Sequence, residues 1–164
     1  MKAIKFLAMS ALLLSMAACG GNDKKAAEAE AAEENDFYAT QPMASGIYDA
    51  TYFNIKGKDA RKGQFDGRVI ASISPEQSAI FVYENGNRTK IKHLLMLDEA
   101  FAQNDSVYTA ASKSLPVTLS TDSANYVISY IANNDTVTIT FNQQPRNTYE
   151  PLEALQKIQE EAKR

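Results

Sequence analysis

The chain is poor in the residues that carry most protein chemistry. Its 164 residues include one cysteine, one histidine and no tryptophan. A single cysteine excludes an internal disulfide framework, and one histidine beside it leaves too few ligands for the three or four that a zinc site takes. There is no Gly-x-x-x-x-Gly-Lys phosphate loop and no serine in a nucleophile-elbow pattern. A basic excess is also missing. From residue 46 to 164, 13 Lys or Arg stand against 14 Asp or Glu, unlike the positive balance of a general nucleic-acid binder. The apolar run Phe6 to Ala18 stops at 13 residues, short of the ~20 that cross a hydrocarbon core. These absences point away from redox, metal, nucleotide and nucleic-acid chemistry. A binding protein without cofactor or catalytic set is expected.

The order of segments at the amino terminus is informative. Lys2 and Lys5 precede the uncharged run, small Ala17 and Ala18 close it, and Cys19 follows at once. A basic start, a short apolar stretch and a small-residue finish make a secretory signal. The sequence Met16-Ala17-Ala18-Cys19 resembles the bacterial lipobox, with Met16 where leucine is usual. That resemblance implies that residues 1–18 are a lipoprotein signal peptide and that Cys19 is acylated after cleavage before it. The partner would then be a bacterial envelope membrane, the outer membrane by preference, with the leaflet open. Each buried CH2 of an acyl chain contributes about 0.8 kcal/mol, so two or more chains anchor without a protein span. Acylation would consume the only thiol.

Residues 19–45 are rich in Ala and Glu, with six acids and two lysines. They hold too little apolar surface for a core and are expected to form a flexible tether. The stretch AAEAEAAEEN has good helix formers but no apolar stripe to dock.

From residue 46 onward alternation dominates, as in half-buried strands. Strands are expected at 47–55, 65–73, 78–83, 88–97, 105–111, 115–120, 125–132 and 135–142. Phe65, Gly67, Val69, Ala71 and Ile73 share one face of the second, and Ile91, His93, Leu95 and Leu97 one face of the fourth. Asn85-Gly86 and Asn133-Asn134 suit tight hairpin turns. Pro116 places its strand at an edge or marks a strand end. Pro151 opens a helix over 151–163 with Leu152, Leu155 and Ile158 three apart. Short connections favour an antiparallel meander of about eight strands, closed as a small barrel. A two-sheet β-sandwich is the alternative.

Two resemblances support the barrel. Lipocalin-type barrels open their first strand with Gly-x-Trp and lay a basic side chain from the chain's far end over that ring. Gly46-Ile47-Tyr48 and Arg146 resemble this pair, with tyrosine for tryptophan. It implies a barrel closed by Arg146 stacked on Tyr48. The layout also resembles small envelope-stress lipoproteins with a lipobox and a Gly-x-Tyr strand start. Those carry a Cys-x-x-Cys pair absent from this chain, so no metal or redox role follows.

The chemical candidates are few. His93 lies in an apolar strand face and is expected to pack or line a pocket rather than act as a base. The acids Asp98 and Glu99 are expected in a solvated loop. Lys56, Lys58, Arg61 and Lys62 crowd one loop, a solvated turn or a patch for an anionic partner. Tyr126 and Tyr130 share one face of a strand whose other face carries Val127 and Ile131. Such a strand is buried on both sides, or has a helix outside and a pocket inside. With Tyr52, Phe53 and His93, these tyrosines are the expected lining of a site for a small apolar or amphipathic ligand. The alternative is a protein-interaction module with a filled core, acting as an envelope assembly or stress factor or as an enzyme inhibitor.

Overall fold

The computed structural model describes residues 23–55, 66–84 and 92–163. The first element is a helix, α1 (Asp23–Thr40), where the sequence predicts a flexible tether. Its run of Ala, Glu and Lys favours helix without help from packing. In its last turn Phe37 packs against the core, and the Thr40 hydroxyl donates to the Phe37 carbonyl at 2.7 Å.

The strands follow as β1 (Gly46–Ile55), β2 (Gly67–Ser72), β3 (Ala79–Glu84), β4 (Lys92–Met96), β5 (Ala102–Asn104), β6 (Val107–Ser112), β7 (Leu115–Asp122), β8 (Asn125–Ala132), β9 (Asp135–Asn142) and β10 (Asn147–Thr148). The helix α2 (Pro151–Ala162) ends the chain. The short β5 and β10 are additions to the eight expected. The Asn85-Gly86 turn, Phe65 and Ile91 lie outside the described residues.

All of the strands lie on one hydrogen-bonded path, β4-β3-β2-β1-β9-β8-β7-β6-β5, with β10 on β1. Every pairing is antiparallel. The two-sheet alternative therefore falls, and the fold is a meander curled into a half-barrel. β4 and β5 end the path and leave one seam. Asp98 spans it: its backbone N–H donates to the Ala111 carbonyl at 2.7 Å, and its carboxylate accepts the N–H groups of Lys113 and Ser114 at 3.1 and 2.8 Å. Lys113 and Ser114 both have positive φ, as a tight two-residue hairpin requires. Asn133 and Asn134 form the β8–β9 turn in the same way.

Alternation sets the inner face. Val69 and Ala71, Leu95, Val117 and Leu119, Ile128 and Tyr130, and Val137, Ile139 and Phe141 all point into one core. Pro116 sits at a strand end where β7 pairs with β6 only, and β8 joins from Val117 onward. A second cluster lies outside the sheet, where Ile158 of α2 meets Ile70, Ala79 and Phe81. This explains why nearly every residue of β2 and β3 is buried. The helix rests over β1–β3 and not over β8, so Val127 and Ile131 are only half-buried. Its buried residues are Ala154 and Ile158, four apart, while Leu152 remains 67% exposed. A spacing of three drifts around a helix of 3.6 residues per turn, and Leu152 rotates off the docked face.

Candidate functional site

The two ends of the half-barrel are closed differently. At the end where β1 begins, residues 41–45 cross beneath the core, so the folded unit starts before residue 46. Met43 is buried in the core. The Ser45 hydroxyl donates to the Ile73 carbonyl and accepts the Ile73 N–H, at 3.2 and 2.8 Å. Two inward tyrosines hold this crossing chain. Tyr48 donates to the Ala44 carbonyl at 2.7 Å, and Tyr126 to the Pro42 carbonyl at 2.5 Å. Both rings meet Phe141 at 5.6 and 5.4 Å. Burial raises the pKa of each phenol.

At the opposite end lie Phe53, His93 and Tyr130. A bulge in β1 shifts the register between Ala50 and Tyr52. One extra residue exchanges the two faces of a strand, so Tyr48 and Ala50 point inward before it and Phe53 after it. Tyr52, expected in the lining, is thereby turned outward: it is 42% exposed and accepts a hydrogen bond from Asn54 Nδ2 at 3.0 Å. The His93 ring is 5.7 Å from Phe53 and 5.6 Å from Tyr130. Burial lowers the His93 pKa from its ordinary 6.5, so the ring is neutral at pH 7.

A pocket of about 440 Å³ opens here, between β4 and the upper ends of β6–β8. His93, Leu95, Ser112, Val117, Tyr130 and Ala132 line its inner part, and Leu94, Lys113 and Leu115 are exposed around it. Tyr130 is 2% exposed, and its hydroxyl has no hydrogen-bond partner among the described residues. Burial pushes its pKa far up, so the phenol keeps its proton as a donor. Of the lining expected from the sequence, Phe53, His93 and Tyr130 thus gather at one end. Tyr126 lies at the other, spent on the crossing chain.

The expected Tyr48–Arg146 pair does not form. The guanidinium of Arg146 reaches the Asp49 carboxylate at 3.1 Å, and Arg68 meets the same carboxylate at 3.0 Å. Neighbours on a strand face opposite sides. Arg146 therefore clasps β1 from outside while Tyr48 is sealed within. Gly46 has a separate reason to be glycine, since a Cβ there would collide with the backbone oxygen of Asn147 on β10.

A wider cavity of about 660 Å³ lies between α1, the β2–β3 turn and α2, edged by Glu30, Glu33, Glu34, Glu76 and Glu150. All five glutamates are exposed. The Asp98 clasp and the seam pocket escaped sequence reasoning, because Lys113 and Ser114 lie 15 and 16 residues from Asp98 with no pattern linking them. Cys19, Lys56, Lys58, Arg61 and Lys62 lie outside the described residues. Among the described residues no group of three His, Cys, Asp or Glu side chains is placed to hold a metal ion, and no helix is long and apolar enough to cross a membrane. No family model and no curated protein matches the chain.

Proposed function

We propose that this is a lipid-anchored protein of the bacterial envelope whose half-barrel binds or carries a small apolar or amphipathic ligand. The observation that carries the reading is a pocket of about 440 Å³ at one end of the half-barrel, lined by Leu95, Val117, the buried Tyr130 and a neutral His93. Ligand sites are concave, mostly apolar, about 300–1,000 Å³ in volume, and hold a few placed polar groups. Binding rather than catalysis is proposed because His93 sits between two aromatic rings, tilted to Phe53 and edge-on to Tyr130, and no carboxylate among the described residues is bonded to it. Anchoring rests on the lipobox-like Met16-Ala17-Ala18-Cys19 alone.

One observation favours the alternative of an interaction module. Leu119, Ile128, Ile139 and Val82 pack the middle of the half-barrel solid, so the ligand space is confined to one end. Native mass spectrometry on the whole chain carrying Cys19→Ala, mixed with an envelope-lipid extract, separates the two readings. A single-mass adduct, lost on denaturation and in Leu115→Trp, is the expected result. A bare polypeptide mass throughout favours the interaction module. Anchoring is tested apart: wild-type chain should incorporate radiolabelled palmitate and Cys19→Ala should not.

A further inference from the structure

We infer that the wide groove between α1, the β2–β3 turn and α2 docks a cationic amphipathic segment of a partner protein. An Arg or Lys of that segment sits among the glutamates, and an aliphatic side chain covers the groove floor. The groove shares no lining residue with the pocket between β4 and β6–β8, so the inference stands whether or not that pocket holds a ligand.

The floor is apolar and open. α2 docks through Ala154 and Ile158 and leaves Leu152 67% exposed. Leu152 lines the groove with Leu155, Pro151, Pro75 and Tyr38, and the Tyr38 ring is also exposed. Two of the five large hydrophobic side chains left exposed among the described residues thus meet in one concavity of about 660 Å³. Exposed apolar side chains scattered singly are ordinary, but gathered in one concavity they mark a contact surface. The walls are held in place. Phe37, edge-on to Tyr38, packs on the core. The Ser72 hydroxyl donates to the Pro151 carbonyl at 2.8 Å and fixes the start of α2. Within the turn, Ser74 Oγ accepts the Gln77 N–H at 3.1 Å. A preformed groove loses little further freedom when it is filled.

Charge identifies the occupant. Glu30, Glu33 and Glu34 of α1, Glu76 of the turn and Glu150 before α2 edge the groove, and no described Lys, Arg or His lines it. Elsewhere carboxylates are engaged by the fold itself: Asp49 by Arg68 and Arg146, Asp98 by two backbone N–H groups. The five glutamates have no cationic partner among the described residues. Acids from all three elements converge on Tyr38, whose pKa is raised by burial and then by Glu34, Glu150 and Glu76. An anionic segment would be repelled here, and a purely apolar one would leave the carboxylates unmatched. A guanidinium or ammonium gains both the carboxylates and an exposed tyrosine ring.

The test follows labelled peptides of about 14 residues, four helical turns, by fluorescence anisotropy against the Cys19→Ala chain. A Leu/Lys amphipathic helix should bind. Its Leu/Glu counterpart and oligolysine of equal length should bind at least tenfold more weakly. Leu152→Ser, and Glu34→Gln combined with Glu76→Gln, should each weaken the Leu/Lys helix roughly 3- to 10-fold. All three positions are exposed, so the fold is kept. Leu115→Trp, at the other pocket, should leave the affinity unchanged. Oligolysine binding as tightly overturns the inference, because charge alone would then suffice. Equal binding of the Leu/Glu helix overturns it too, because charge would then not matter. So does full affinity in both groove variants, or its loss in Leu115→Trp. A Leu/Lys helix that does not bind also sinks it, while the ligand-binding reading keeps its own mass-spectrometric test.

Discussion

Tyr126 and Tyr130 sit four residues apart on β8 and point into the same half-barrel, yet one hydroxyl is bonded and the other is not. The difference lies in what passes beneath each ring. At the lower end, residues 41–45 bring the carbonyls of Pro42 and Ala44 to Tyr126 and Tyr48. At the upper end no backbone among the described residues reaches Tyr130, and the space beside it is the pocket. This separates a tyrosine bonded to the crossing chain from one whose hydroxyl is buried without a partner among the described residues.

Five substitutions would break or sharpen that contrast. The largest effect belongs to the closed end: Phe141→Ala, beneath both Tyr48 and Tyr126, should cost about 3–5 kcal/mol in urea unfolding. A smaller and more diagnostic pair compares the tyrosines themselves. Tyr48→Phe should cost about 1 kcal/mol, while Tyr130→Phe should be neutral or slightly stabilising, since it deletes a buried hydroxyl without a partner. Equal losses from the two would erase the distinction between the ends.

The open end should also respond to acid. The folded pKa of His93 lies below the ordinary 6.5 through burial. Below pH 6.5 the unfolded chain therefore takes up a proton before the folded one does. The His93 contribution is fully present above pH 6.5 and is lost as pH falls from there toward the folded pKa. Stability curves of wild type and His93→Gln should converge in shape above 6.5 and separate below it, with the flatter curve belonging to the variant. The smallest effect is expected on the outside of β1. Arg146→Gln should cost ~0.2–1 kcal/mol, because its side chain is 54% exposed and Arg68 remains on Asp49.

Much of the fold was legible because it is local. Val137, Ile139 and Phe141 alternate with threonines, and β9 buries those three. His93, Leu95 and Leu97 were expected on one face and share it. Asn133-Asn134 announced its turn by chemistry. Other features were hidden for identifiable reasons. The β1 bulge leaves no mark in GIYDATYFNI, so the outward turn of Tyr52 could not be foreseen. Leu152 fits a three-residue spacing as well as Ile158 does, and only the docking angle of α2 decides which is covered. The acidic run before residue 41 has helix formers and no apolar stripe, so its continuous helix is a matter of propensity that composition alone left open.

The division follows the range of the forces involved. Inner and outer faces, hairpin turns and the helix start at Pro151 depend on residues a few positions apart, and the chain specifies them wherever it is placed. Which tyrosine is satisfied depends on partners far away in sequence: Tyr126 meets a carbonyl 84 residues earlier. Asp98 bridges the seam to a turn 15 and 16 residues on. Arg146 reaches back 97 residues to Asp49 and leaves Tyr48 to its carbonyl. A period-two pattern states that a side chain points inward. Only the closing of the sheet around it determines whether it meets a partner there or a pocket.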